Sequence, residues 1–355
     1  MSPKKKYFVF LADIHGTSIG IEKGILGGIA TLGKGERRPG TSDSRRILRT
    51  CVDADAIGVR HTRISSEVID KLDKCRIIAR FGGGYDNIDV KAATRKGIIV
   101  TFVPDYCTDA VAEHALAFAL VKIRGIREAE DRIRQRFWSA QGIKAEMAKD
   151  VVLGIVGLGR IGGALSRKAA AVGFKVVAYD PFIPHSDFRA RKATRMKRLG
   201  DLLEKADIVS LNVPLTKEGK HPTFQMLGKK ELTSMKSGAY IINVCRGEVM
   251  DTKWLIRALK GGRLSGLVTD VIEGEPVQNS YLRSRKNPVF DTLKSLPNVT
   301  ITPHSAFMST RSVRDVKTKA AREIKSVLQG KMPRKKAWVN PEVKDRHRRK
   351  FGKKG

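Results

Sequence analysis

The chain is expected to fold as two α/β domains, each built on a doubly wound parallel sheet. Three observations predict this. Its 355 residues exceed what one compact core usually needs. Short apolar runs alternate with helix-compatible stretches in two successive blocks. A glycine-rich turn between a strand pattern and a helix pattern opens the second block at Asp150.

In the first block the strand patterns are YFVFLA, ADAIGV, CRIIARF and GIIVTFV, with helices expected near 42–51, 64–73 and 88–96. Residues 107–123 read as a long helix bridging the blocks, capped by Thr108 or Asp109. The second block offers VVLGIV, FKVVAY, ADIVSLNV, GAYIINV, LSGLVTDV and NVTIT, with helices near 160–172, 196–205, 228–236 and 251–260. A last helix, about 310–329, is expected to return to the first domain, because the second sheet is complete by then. Two such blocks imply a cleft between domains.

The apolar share of 41% and charged share of 30% fit a globular, soluble chain. Its apolar runs are one strand long, short of the roughly 20 residues of a membrane span. The basic start MSPKKKYFVFLADIHG reads as a first strand rather than a signal peptide, because Asp13 breaks its apolar run. Cys51, Cys75, Cys107 and Cys245 form no CxxC or zinc spacing, and the seven histidines form no HxxxH pair. A reducing, cytoplasmic setting and no metal are therefore expected. The net charge is +33, and residues 331–355 carry eleven Lys/Arg against Glu342 and Asp345. The remaining excess is dispersed, which fits a solvated surface better than a binding footprint. Nucleic acid is therefore not expected as the primary partner, although a salt-sensitive attraction to polyanions follows from charge alone. Residues 334–355 are read as a basic, mobile tail.

Residues 151–162 read VVLGIVGLGRIG. Gly157 permits the tight turn, Gly159 lets backbone approach a pyrophosphate, and Gly162 lets the helix pack on the strand. The helix N-terminus then offers free N–H groups to phosphates. The next strand ends in Asp180, a carboxylate suited to ribose hydroxyls and repulsive to a 2′-phosphate, so NAD is expected over NADP. Arg189, Arg191 and Lys192 downstream oppose that preference. The segment GIATLGKG approaches a P-loop but lacks its Ser/Thr, which argues against nucleotide hydrolysis. Gly82–Gly84 lack a third spaced glycine, yet their N–H groups suit a small anion.

Three strand ends of the second block carry chemistry. Arg246 follows GAYIINV, Glu275 follows LSGLVTDV in IEGEP, and His304 follows NVTITP. A guanidinium suits a carboxylate. An imidazole suits proton transfer, and a carboxylate beside it favours its protonated form. Together with a dinucleotide they suit hydride transfer to a 2-keto acid.

The segments GLGRIG, NVCRGEVMD, TDVIEGEP, TPHSAF, ARFGGGYDNIDVKAATRKGI and VPDYCTDAVAEHAL resemble those of the D-isomer-specific 2-hydroxyacid dehydrogenases over about residues 5–342. Within that family the chain looks closest to the C-terminal-binding-protein-like branch, and next to phosphoglycerate dehydrogenases. The resemblance implies a Rossmann NAD-binding domain, 107–304, inserted into a flavodoxin-like substrate-binding domain, 1–106 and 305–333. It implies that Arg246 holds the substrate carboxylate and carbonyl, His304 is the acid/base, and Glu275 serves the histidine. Cofactor contacts would come from Gly157, Gly159, Arg160, Ile161, Gly162, Asp180 and Pro214, with Asp270 on the nicotinamide amide. Arg80, Gly83 and Gly84 would meet the substrate, and a homodimer would form through about 107–150.

Several positions depart from the family pattern. Cys245 replaces the common Ala, Asn212 the common His, and Phe307 the Trp of the animal corepressors. The link from Glu275 to His304 is long and carries Arg283, Arg285 and Lys286. The expected activity is NAD-dependent interconversion of a D-2-hydroxy acid and its 2-keto acid. The alternative is an NADH-responsive, corepressor-like scaffold with little turnover. No regulatory C-terminal domain is expected.

Overall fold

A computed structural model describes residues 6–13, 18–34, 49–275 and 287–352. The chain divides into two compact units. One comprises Met1–Tyr106, Val277–Ser280 and Ser309–Gly355, and the other Cys107–Pro276 and Tyr281–Met308. Arg283, Arg285, Lys286 and most of the helix expected near 42–51 lie outside the described residues.

The first unit is built on five parallel strands: β1 (Tyr7–Leu11), β2 (Ala30–Lys34), β3 (Ala56–Val59), β4 (Ile77–Arg80) and β5 (Ile99–Thr101). Their order, β2-β1-β3-β4-β5, is the flavodoxin-like order. Alternation along β1 sends Val9 and Leu11 to one face and Phe10 to the other. On the first face lies the return helix Thr310–Leu328, through Val316, Ala320, Ala321, Ile324, Val327 and Leu328. Strand β2 falls within the glycine-rich segment GIATLGKG, where sequence pattern alone indicates no strand. Its Gly33 leaves no room for a Cβ against the Phe8 ring, so the edge strand closes on an aromatic rather than on an apolar run.

In place of a mobile tail, residues 334–352 pack beside β5. Trp338 bridges Thr101, and Val339 N donates to Val100 O at 3.0 Å. Buried Asn340 accepts from Val100 N at 2.8 Å and donates to Thr94 Oγ1 at 2.9 Å and Ile98 O at 3.0 Å. The helix Lys344–Phe351 then caps the C-terminal end of Val90–Lys96. Arg346 donates to Thr94 O and Arg95 O, Lys350 to Lys96 O, and His347 Nδ1 to Gly97 O. Cations and N–H groups at a helix C-terminus satisfy its orphan carbonyls and complement its dipole. Composition hides this because only a few residues, Ala337, Asn340, Val343 and His347, are buried among many charges.

The second unit contains seven parallel strands: β6 (Val152–Val156), β7 (Lys175–Tyr179), β8 (Thr194–Arg195), β9 (Ile208–Leu211), β10 (Ala239–Asn243), β11 (Leu264–Thr269) and β12 (Val299–Ile301). The order β12-β11-β10-β9-β6-β7-β8 reverses direction between β6 and β9, the switch point of a Rossmann sheet. Both faces are covered by apolar clusters, so β9 and β10 are buried throughout. The bridging helix Thr108–Ile123 starts at Cys107 rather than at a side-chain cap from Thr108 or Asp109. Its Ala112, Ala115 and Ala119 are buried in the cluster shared with the helix Arg160–Val172, where small residues allow close approach.

Burial holds His347 below the ordinary histidine value of 6.5, with Arg76 and Lys350 adding to the effect. Its contribution to stability is therefore complete above pH 6.5 and lost as the pH falls below that value, because the unfolded chain takes up the proton first. The expected outcome is a thermal midpoint that drops between pH 7.5 and 5.5, with a shallower drop in His347→Asn. Equal pH dependence of the two proteins would show that the buried imidazole does not titrate this way.

Candidate active site

The parallel register aligns Asn243, Thr269 and Ile301 in one row at the carboxyl ends of β10, β11 and β12. Arg246 and His304 follow that row by three residues, and Asp270 by one. This is the edge where ligands bind in such sheets.

His304 Nδ1 lies 2.8 Å from Glu275 Oε2, with both side chains partly exposed. The imidazole and carboxylate named from sequence are thus brought together through Nδ1. The backbone of His304 is left-handed, φ 50°. Such a conformation costs a non-glycine residue roughly 1–3 kcal/mol and persists only when its surroundings hold it. Here His304 N donates to Asp270 O and Thr302 O, each at 2.9 Å.

The carboxylate of Asp270, the residue that the resemblance sets on the nicotinamide amide, is also bonded within the protein. Its carboxylate is 3% exposed. Oδ1 accepts from Thr302 Oγ1 at 2.6 Å and Ser305 N at 2.8 Å, and Oδ2 accepts from Ala306 N at 2.8 Å. A buried carboxylate must be satisfied in this way. It thereby ties down the turn that carries His304. His114 lies alongside, with Nε2 3.3 Å from Thr302 Oγ1 and 3.9 Å from Asp270 Oδ1. Burial pushes its imidazole below the usual histidine range, against the pull of Asp270.

Arg246 donates through Nη1 to Cys245 O at 2.7 Å. Its turn is held by buried Asn243, whose Nδ2 donates to Arg246 O at 2.8 Å and whose Oδ1 accepts from Cys245 N at 3.0 Å. Gly247 follows at a point of backbone contact. A Cβ there would stand 2.1 Å from Ile272 C and 2.2 Å from Glu273 N. The Arg246 turn and the segment leading to Glu275 therefore rest directly on each other. Asn243, Gly247, Thr302 and His114 are missed by sequence reasoning. The signal for Gly247 was its place beside an arginine at a strand end, and for Asn243 a polar residue closing an apolar strand.

The glycine loop fits a dinucleotide. Gly157 has φ +85°, and a Cβ on it would meet Asn212 O at 2.7 Å. A Cβ on Gly162 would meet Gly157 O at 2.0 Å, whereas nothing lies within 4 Å of that position on Gly159. The 13-residue helix Arg160–Val172 begins there without a side-chain cap, with Arg160 and Ile161 in its first turn. Asp180 accepts from Leu158 N and Phe182 N, both at 2.9 Å, which anchors it at the loop. Arg191 braces the same loop through Leu158 O, and its Nη2 pairs with Asp187 at 3.0 Å. Pro214 O accepts from Thr223 Oγ1 at 2.5 Å in the segment after β9. Asn212, in the place of the common His, donates to Ser210 O at 3.1 Å, and Phe307 lies edge-on to His304 at 6.3 Å.

Arg80, Gly83 and Gly84 belong to the first unit. Arg80 donates to Phe81 O at 2.7 Å, and its guanidinium lies over Gly82, where a Cβ would fall 1.7 Å from Nη1. Gly83 is exposed at the carboxyl end of β4. Among the described residues, no group of three or more His, Cys, Asp or Glu is arranged to hold a metal.

A two-sheet α/β architecture with a dinucleotide loop and a His–Glu pair at one sheet edge is that of a nicotinamide-dependent oxidoreductase. Residues 116–306 match the model of the D-isomer specific 2-hydroxyacid dehydrogenase, NAD binding domain, and the chain belongs to that family. It is 35% identical over 287 residues to a D-3-phosphoglycerate dehydrogenase of Methanocaldococcus jannaschii, covering 81% of this chain and 52% of that longer protein. It is 36% identical over 302 residues to a glyoxylate reductase of Korarchaeum cryptofilum, covering 84% and 86%. A D-lactate dehydrogenase from Aquifex aeolicus, solved with NAD and lactic acid, superposes with a TM-score of 0.82 at 28% identity, covering 91% of this chain and 96% of that one. NAD is accordingly the cofactor class of this chain, as its binding-domain family states.

Replacing Gly247 by Ala should drive the Arg246 turn off the Ile272–Glu273 backbone. We expect turnover to fall at least tenfold while the fold, read by circular dichroism, is retained. Wild-type turnover in Gly247→Ala would show that the contact does not position either side chain.

Proposed function

We propose that this chain reduces a 2-keto acid to its D-2-hydroxy acid with NADH, and runs the reverse reaction with NAD, using His304 as the acid/base. The 2.8 Å approach of His304 Nδ1 to Glu275 is the observation that carries this reading. The nicotinamide cofactor, when bound, would supply the hydride for C2 of the keto acid and would itself be oxidised to NAD. As the carbonyl π bond breaks, its electron pair moves to oxygen, which takes the proton from His304 Nε2 and leaves a neutral imidazole. Glu275 holds the ring through Nδ1 and so orients Nε2. The Arg246 guanidinium pairs with the substrate carboxylate and polarises the carbonyl.

The N–H groups opening Arg160–Val172, from Arg160 and Ile161, would hold the pyrophosphate across Gly157, Gly159 and Gly162. Asp180 would take the adenosine ribose and Pro214 would line the cofactor on the β9 side. A substrate contact for Arg80, Gly83 and Gly84 is proposed from the resemblance alone. Discontinuous domains at 1–106 with 305–333, and at 107–304, are part of the same reading.

A homodimer formed through residues 107–150 is also proposed. Ile126, Ile133, Phe137, Trp138 and Met147 are all exposed there, Trp138 at 91%. A cluster of exposed large apolar side chains in one segment marks an interaction surface. A cytoplasmic setting is proposed from four cysteines that form no disulfide among the described residues. No helix among the described residues is long and apolar enough to cross a membrane.

General acid–base catalysis contributes about 10²–10⁴-fold. His304→Ala should therefore lower kcat by that factor with glyoxylate, hydroxypyruvate, pyruvate or 3-phosphohydroxypyruvate, whichever is turned over best, while NADH still binds. Unchanged turnover would remove His304 from the mechanism. Tight NADH binding with no keto acid reduced would favour the scaffold alternative. For the assembly, light scattering should give twice the chain mass for the wild type and a shift towards one chain mass for Trp138→Glu with Ile133→Glu. A single-chain mass for the wild type would dispose of the dimer.

A further inference from the structure

The helix Lys344–Phe351 lies on the first unit and carries chemistry that the reaction above does not use. We propose that its outward face, with the adjoining Val90–Lys96 helix, binds the phosphodiester backbone of nucleic acid as a second activity of this chain. The helix is anchored by Val343 and His347, both buried, and by half-buried Phe351. That anchoring turns Lys344, Arg348 and Arg349 outward. All three are exposed, and none has an acid partner among the described residues. Arg346 and Lys350 add two charges while bonded to the carbonyls of the neighbouring helix, and Arg95 adds another from that helix. The acids nearby are few. Asp73 is taken by Lys96 at 3.0 Å, Glu342 lies 3.4 Å from Thr94 Oγ1, and Asp345 is the single acid of the tail helix.

Buried His347 and exposed Lys350 register the resulting field. Beyond the effect of burial, Lys350 is held below the usual lysine range by Lys96, and His347 is lowered by Arg76 and Lys350. A folded helix fixes its cations at about 5–6 Å between neighbours four residues apart. Eight residues span about 12 Å, and double-stranded DNA presents one negative charge per roughly 1.7 Å of its axis. The array thus faces several phosphates at once. A membrane surface fits less well, because an interfacial helix needs an apolar outer face and this one has only charged residues outward.

Truncating the tail would remove Trp338, Asn340 and His347 from the first unit, so charge neutralisation is the cleaner test. The full chain is titrated against a fluorescein-labelled 20-base-pair DNA duplex from 50 to 300 mM KCl. Lys344→Gln/Arg348→Gln/Arg349→Gln should weaken binding at least tenfold at 50 mM. It should also flatten the slope of log affinity against log salt by about two to three, since each phosphate contact contributes about 0.9. A control pair on the second unit, Lys229→Gln/Lys230→Gln, should leave the slope within one. Keto-acid reduction by the triple variant should match the wild type, which separates this inference from the proposed reaction. An unchanged slope in the triple variant, an equal loss in the control, or binding to phosphatidylserine vesicles in preference to the duplex would each overturn it.

Discussion

The buried carboxylate of Asp270 is the constraint from which the reactive edge follows. At the end of β11 it has lost its water and must be satisfied by the protein. The donors that do so, Thr302 Oγ1, Ser305 N and Ala306 N, all belong to the turn after β12. Satisfying them forces that turn into a tight loop, with His304 at a left-handed φ and its N–H returned to Asp270 O. A charge on one strand thereby sets the direction of an imidazole on the next. The strain at His304 is tolerated because breaking the turn would leave a buried charge unpaired, which costs more than the strain does.

The rest of the edge is built by backbone contact rather than by long side chains. Gly247 allows the Arg246 turn to touch Ile272 and Glu273, so the guanidinium and the Glu275 carboxylate are carried by segments in direct contact. Asn243 fills the same turn from beneath. On the other side of the switch point, Gly157 and Gly162 let the dinucleotide loop close on Asn212 and on the helix, while Asp180 holds Leu158. Placing these features on strand ends of one sheet gives each a rigid support. That arrangement suits a reaction in which hydride and proton must arrive at adjacent atoms.

Charge plays two different roles in the first unit. Inward, Arg346, His347 and Lys350 finish the Val90–Lys96 helix by taking its last carbonyls. Outward, the remaining cations of the same short helix stay solvated. The side that faces the protein orders the side that does not. A basic segment can thus be a structural element and a charged surface together.

The alternating apolar runs, the GxGxxG turn and the strand-end Arg246, Glu275 and His304 were legible in the sequence, because each depends on local periodicity or on a residue next to its own strand. Strand β2 was not, since its pattern holds glycine where a strand would carry a side chain, and only the Phe8 ring in the neighbouring strand explains that. The N-terminal boundary of Thr108–Ile123 and the packing of the tail were also hidden. A handful of buried residues among many charges leaves no periodic signal. The partners of Asp270 were decided by tertiary structure alone, because they come from a turn more than thirty residues away and brought alongside by the β11–β12 pairing. The amino-acid sequence by itself determined which chemical groups stand at the ends of the strands. Only the folded sheet decided which of them bond to one another, because hydrogen bonds and desolvation act between neighbours in space, not along the chain.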